Sequence, residues 1–144
     1  MNEVELIKLS KKDAKFLQEN FSFAFKNNSI EDIEKTIKNW ETSLGFGIAY
    51  KQEMVGFIIL SEKADGTLCL GEAVREEFKC KGIASKAFEL AKEQAKNKGI
   101  SVIVSSCSAE NTASINLHKK LGFNLIETNI NKAGNKMHRW EMKI

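Results

Sequence analysis

Lys79-Cys80-Lys81-Gly82-Ile83-Ala84-Ser85-Lys86-Ala87-Phe88 is the stretch on which the fold turns. It follows a run of strand character, Thr67 to Val74, in which Leu68, Leu70, Glu72 and Val74 alternate onto one face. It opens the most strongly patterned helix of the chain, predicted over 83–98. At 100° per residue, Ile83, Ala84, Ala87, Phe88, Leu90, Ala91 and Ala95 form an apolar stripe roughly 160° wide. Ser85, Lys86, Glu89, Lys92, Glu93 and Lys96 lie opposite, and Gly99 is placed to cap the C-terminus. A glycine at a strand-to-helix junction lets the backbone approach a ligand. The first helical turn adds unpaired N–H groups and the positive end of the helix dipole. A diphosphate can be held there by main chain, with Lys79 and Lys81 adding charge. The same residues also read as a plain turn with solvated lysines. A Rossmann loop is excluded because one glycine stands where several are needed, and the Gly-Lys-Ser/Thr ending of a Walker loop is missing.

Outward from this junction, Val4 to Leu9 reads as a first strand. Ser10 with Asp13, and Ser29 with Asp32, mark helix starts, predicting helices over about 11–19 and 30–39. Gly45 to Tyr50 and Met54 to Leu60 are strand-like runs joined at Lys51-Gln52-Glu53, and Ala64-Asp65-Gly66 is a turn. Beyond the central helix, Ile100 to Val104 reads as a buried strand and Asn111 to Leu121 as a helix closed by Gly122. Phe123 to Ile130 and Met137 to Ile144 form a last hairpin. The order β-α-α-β-β-β-α-β-α-β-β predicts an α/β fold, a mixed sheet with helices on both faces. No repeat or linker divides the 144 residues, so one domain is expected over 1–144.

With 42% apolar and 28% charged residues the chain has the composition of an ordinary globular protein. No apolar run reaches the roughly 18–20 residues of a membrane span, and residues 1–20 lack a signal-peptide core, so a cytoplasmic protein with no membrane partner is expected. A net charge of +3, thinly spread, argues against nucleic acid as a partner. Cys69, Cys80 and Cys107 cannot all pair and none stands in a C-x-x-C spacing, so reduced thiols and no metal site are expected.

A second motif follows the fifth strand: Asn111-Thr112-Ala113-Ser114-Ile115-Asn116-Leu117-His118-Lys119-Lys120-Leu121-Gly122-Phe123. Taken with Val74 and residues 79–85, it resembles the GNAT superfamily of N-acetyltransferases. That family carries a hydrophobic strand end, Arg/Gln-x-x-Gly-x-Gly/Ala at a helix start, and later Asn-x-x-Ala/Ser-x-x-Leu-Tyr-x-Lys-x-Gly-Phe. Val74, Gly82 and Ala84 match the first part, and Asn111, Ser114, Leu117, Lys120, Gly122 and Phe123 match the second. Lys81 to Phe88, with Glu110 and Ser114, leans toward the branch that acetylates ribosomal-protein N-termini.

The resemblance implies the acyl-CoA N-acyltransferase fold, a mostly antiparallel sheet of about seven strands. It also implies acetyl-coenzyme A as cosubstrate and an amine acceptor that the sequence does not identify. Small members of the family often pair, which makes a homodimer an option by analogy. By position, the backbone of Cys80, Gly82 and Ala84 and the Ser85 hydroxyl would hold the pyrophosphate within the 79–85 loop (Lys79, Lys81 and Ile83 included). The backbone near Ala73 and Val74 would pair with the pantetheine arm, and Asn111 would bond that arm or cap its helix. Lys79 departs from the usual Arg or Gln, losing planar multi-donor geometry. His118 replaces the tyrosine that commonly protonates the leaving thiolate. Histidine can donate a proton, and Ser114, one turn earlier, is the alternative donor.

Glu72 is the candidate base for the incoming ammonium, because it shares a face with Val74 and partial burial would raise its pKa. The alternative is a strand carboxylate facing solvent or a lysine. The rival to catalysis as a whole is an acyl-coenzyme A sensor that keeps the loop and turns nothing over. Cys107 has no His and acid partner in sequence and reads as a buried thiol. Trp40, Phe46, Tyr50 and Trp140 read as core. Lys132, Lys136, His138 and Arg139 read as a solvated edge.

Overall fold

The computed structural model describes residues 3–21, 25, 27–40, 44–63 and 65–144. Ala64 of the predicted turn and the Trp40 side chain lie outside the described residues. Strand β1 (Val4–Lys8) is followed by a 3-10 turn (Lys11–Asp13), helix α1 (Ala14–Asn20) and helix α2 (Ile30–Trp40). Next come β2 (Leu44–Tyr50), β3 (Glu53–Glu62) and β4 (Leu68–Val74), a second 3-10 turn (Glu76–Phe78) and helix α3 (Ile83–Asn97). Then β5 (Val102–Ser108), α4 (Thr112–Leu121), β6 (Asn124–Ile130) and β7 (Lys136–Lys143) complete the order expected from the sequence.

The two predicted helix starts form as their side chains dictate. The Asp13 carboxylate accepts the Ser10 amide at 2.8 Å. Ser29 and Asp32 exchange bonds, the Asp32 amide reaching Ser29 Oγ at 3.1 Å and the Ser29 amide reaching Asp32 Oδ2 at 3.2 Å. Each bond satisfies a donor that the helix itself leaves unpaired. The β2–β3 hairpin turns on Lys51 and Gln52, both at positive φ (51° and 70°). Two left-handed central residues match the twist of the strands they join.

The seven strands lie in the order β1-β2-β3-β4-β5-β7-β6. Every neighbouring pair is antiparallel except β4 and β5. On one face α3 buries Ile83, Ala87, Phe88, Ala91 and Ala95, with Ile58, Leu60, Ile103 and Trp140 in the same core. On the other, Leu17, Phe21, Ile33 and Ile37 of the α1–α2 region share a core with Phe57. The predicted stripe on α3 is therefore the buried stripe, and helices cover both faces.

One strand differs from its sequence reading. Ile100 was expected to open β5, but its amide bonds to Ala95 O (3.1 Å) while the Gly99 amide bonds to Lys96 O (2.9 Å). With Gly99 at φ 80° this is a Schellman ending, which uses Ile100 to finish α3. The strand begins at Val102 and continues through the polar Ser105-Ser106-Cys107-Ser108, because β7 supplies partners as far as Ser108↔Met137.

Gly56 allows β3 and β4 to come together where β4 ends. A Cβ there would collide with the Ala73 carbonyl oxygen and stand 3.2 Å from Val74 Cα. Backbone cannot yield as a flexible side chain can, so Gly56→Ala is expected to cost about 1–3 kcal/mol, read as a lower urea midpoint. Gly71→Ala, whose Cβ meets only the Ile59 Cγ2 methyl at 3.2 Å, should cost less.

Candidate functional site

The parallel pair β4–β5 is joined at only two positions, Leu68↔Ile103 and Cys69↔Val104. Past them each strand keeps its outer neighbour: β4 pairs with β3 up to Gly56↔Val74, and β5 pairs with β7 up to Ser108↔Met137. The two inner edges, Leu70–Val74 and Ser105–Ser108, are left facing a slot about 16 Å deep at about 3.3 Å per residue. The Arg75 amide donates to the Val55 carbonyl at 2.7 Å, back toward β3. Successive strand amides point to opposite edges, so the main-chain groups of Val74, Glu72 and Leu70 turn to the slot, whereas those of Ala73, expected beside Val74 on the pantetheine arm, turn to Phe57 of β3.

The 79–85 loop lies beyond the C-terminal end of β4, at the mouth of this slot. Cys80 and Gly82 are both left-handed (φ 62° and 78°), a conformation that costs a non-glycine residue. Gly82 is the N-cap of α3, without a side-chain cap, and the first helical bond runs from Lys86 N–H to Gly82 O at 3.1 Å. No acceptor among the described residues engages the backbone amides of Cys80 through Ser85. Ile83 is buried and anchors the turn, while Ala84 and Ser85 are half-buried and Cys80, Lys81 and Gly82 are exposed. The Lys79 ammonium is 2.9 Å from the Glu76 carboxylate. These bare amides stand at the positive end of a four-turn helix, a geometry suited to an anion.

Glu72 shares its face with Leu68, Leu70 and Val74, which pack on the α3 side of the sheet. Its stem is half-buried, yet both carboxylate oxygens are closed to solvent and have no hydrogen-bond partner among the described residues. Burial pushes the Glu72 carboxyl well above the ordinary carboxylate range. The carboxylate therefore neither faces solvent nor pairs with a lysine among the described residues.

Asn111 caps α4, its Oδ1 accepting the Ser114 amide at 3.1 Å. His118, one turn after Ser114 on α4, is 5% exposed. Its ring stacks on Trp140 (5.1 Å, 11°) and meets the edge of Phe123 at 5.3 Å. Nδ1 lies 2.7 Å from the Ser114 carbonyl oxygen, which can only accept, so Nδ1 carries the proton. Nε2 is then bare and accepts from Ser105 Oγ at 2.8 Å. Burial lowers the His118 pKa, and the bond to the Ser114 carbonyl opposes that shift. Ser114 Oγ stands 3.4 Å from Nδ1, a marginal contact.

Ser105 was missed by the sequence reading, which ended the strand at Val104, four residues before its true end at Ser108. Cys107 is buried as expected and accepts the Trp140 indole N–H at 3.3 Å. Among the described residues no cluster of His, Cys, Asp or Glu is placed to hold a metal, and no helix is long and apolar enough to cross a membrane.

Residues 14–123 match the acetyltransferase (GNAT) family, and the chain belongs to that family. Two L-methionine sulfoximine/L-methionine sulfone acetyltransferases, from Pseudomonas paraeruginosa and Pseudomonas aeruginosa, are 33% identical to it over 75 residues. That match covers 52% of this chain and 43% of either relative, so the chain matches less than half the length of these relatives. Among solved structures, the Salmonella typhimurium acetyltransferase that modifies the N-terminal serine of ribosomal protein L7/L12 superposes with a TM-score of 0.84 at 17% identity, over 100% of this chain and 96% of that one. A ribosomal L7/L12 α-N-protein acetyltransferase (RimL) in complex with coenzyme A gives 0.86 at 17% identity and the same coverages. The fold is therefore the acyl-CoA N-acyltransferase fold anticipated from the motifs.

Glu72 makes a stability prediction with a definite sign. Between the ordinary carboxyl pKa near 4.5 and the higher folded value, the native state holds a proton that the unfolded chain has lost. Stability therefore falls as pH rises through that window. Glu72→Gln should melt like the parent near pH 4 and above it at pH 8, with a difference that grows with pH. A constant offset across the series would refute the buried, unpartnered carboxyl.

Proposed function

We propose that this chain binds acetyl-coenzyme A with its diphosphate on the 79–85 loop and its pantetheine arm in the β4–β5 slot, and transfers the acetyl group to a primary amine by direct attack. The observation that carries this reading is the loss of β4–β5 pairing after two rungs, directly below the bare amides of α3. An extended amide-bearing arm can take the place of a missing strand, using the Val74 and Glu72 main-chain groups, and the helix end takes the negative charge. Gly82 and Ala84 leave the backbone open to phosphate, and Ser85 adds a hydroxyl. Lys81 adds positive charge, and Lys79 does so once its partner Glu76 yields. The bound cosubstrate supplies an activated thioester carbonyl, and the slot-facing amides near Val74 are suited to stabilise its oxygen as charge develops there.

Glu72 is the proposed base that removes the ammonium proton before attack. Its raised proton affinity strengthens it as a base once ionised, and moves the rising limb of the rate–pH profile above the ordinary carboxylate range. The acceptor is an amine of small-molecule or N-terminal type. Methionine sulfone, a substrate class of the curated relatives, and a serine-initiated peptide are the first two to try. Free Cys69, Cys80 and Cys107 fit a reducing cytoplasm.

The loop is tested by Gly82→Glu, which sets a carboxylate where the diphosphate belongs. Titration calorimetry should show coenzyme A binding weakened about 100-fold or more, with the fold retained by circular dichroism. Equal affinity in parent and variant would rule out the site. Tight binding with no thiol released in the presence of any amine would instead identify a sensor.

A further inference from the structure

The geometry points to Ser105, backed by His118, as a proton shuttle between the attacking amine and the departing sulfur. The inference deepens the acetyl-transfer reading above and rests on it.

Ser105 is the first β5 residue past the last β4–β5 rung, Cys69↔Val104, so it stands at the closed end of the slot. Ile103 and Cys107 on either side of it belong to the core beneath α3, which puts the Ser105 side chain on that face. Leu70 and Glu72 occupy the same face of the opposite strand. An arm anchored by phosphates at the mouth carries its reactive end toward this closed end, and Ser105 Oγ is the polar side-chain atom waiting on the β5 bank.

The bonds around it are those of an activated hydroxyl. Oγ–H donates to His118 Nε2 at 2.8 Å, and Nδ1–H donates to the Ser114 carbonyl at 2.7 Å. That carbonyl fixes the tautomer in which Nε2 is free to accept, and the Trp140 stack fixes the ring plane. The hydroxyl, base and orienting acceptor of nucleophile-activating sites are all present. His118 has no bare nitrogen of its own to offer the slot, so it is a positioning residue that works through Ser105.

The proton account closes. When the amine nitrogen bonds to the thioester carbon, it holds one proton too many. Ser105 Oγ accepts that proton as its own passes to Nε2. The C–S bond breaks with its electron pair left on sulfur; Nε2 then returns its proton to Oγ, and Oγ protonates the sulfur. The proton lost by nitrogen ends on the thiol, and neutral His118 is restored.

Nitrogen-15 resonances of the His118 ring test this without turnover. Coenzyme A should shift Nε2, desulfo-coenzyme A should bind and leave it in place, and Ser105→Ala should abolish the sulfur-dependent shift. In acetyl transfer to methionine sulfone, Ser105→Ala should lower kcat about 100-fold while the acetyl-coenzyme A KM changes less than about twofold, and Ser105→Thr should restore much of the loss. Coenzyme A that binds without a sulfur-dependent shift, or an unimpaired Ser105→Ala enzyme, would overturn the shuttle and leave the acetyltransferase reading standing. Failure of the parent to bind coenzyme A at all would overturn both.

Discussion

Two rungs of parallel hydrogen bonding hold the halves of this sheet together, and the structure depends on there being no more. Parallel strands need a long crossover, and α3 supplies it, packing its apolar stripe on the sheet while leading the chain from β4 to β5. The antiparallel neighbours on either side, β3 and β7, satisfy the outer edges of β4 and β5 along their lengths. Each strand can therefore lose its inner partner without fraying. An internal sheet edge with bare amides is costly unless water or a ligand meets it, and its survival here is the reason to read the gap as a site.

The same division sets the two ends of the slot apart. At the mouth the groups on offer are almost wholly main chain: left-handed Cys80 and Gly82 bend the loop, and α3 presents its unpaired donors. At the closed end the work falls to side chains held rigid by packing. His118 is clamped between Trp140 and Phe123 and bonded at both nitrogens. Glu72 keeps both carboxylate oxygens closed to solvent, with no hydrogen-bond partner among the described residues. Burying a carboxyl in this way works against folding, and the α3 core around Phe88 and Ile103 offsets it.

The element order was legible because each helix carries its own punctuation: Ser29 with Asp32, Gly82 before Ile83, Asn111 before Thr112, Gly99 and Gly122 after their helices. The geometry of the 79–85 loop was legible for the same reason, since a glycine before a patterned helix fixes where unpaired amides will stand. Ser105 was not legible. Its role needs β5 to run on through a polar stretch, and that extension is set by pairing with β7, some thirty residues away in sequence. Once the strand is carried to Ser108, Ser105 falls between Ile103 and Cys107 on the buried face, and a serine there calls for a partner. His118 was placed on the right helix, but the depth at which Trp140 holds it is a tertiary fact that the spacing of α4 could not reveal.

The Trp140 stack also makes the chain its own optical gauge. The sequence has two tryptophans, Trp40 and Trp140, and Trp140 lies face to face with the His118 imidazole. An imidazolium pressed against an indole draws charge from its excited state and dims its emission, whereas a neutral ring does so far less. Fluorescence recorded on a Trp40→Phe background would thus follow the charge on one buried ring directly, with no label attached.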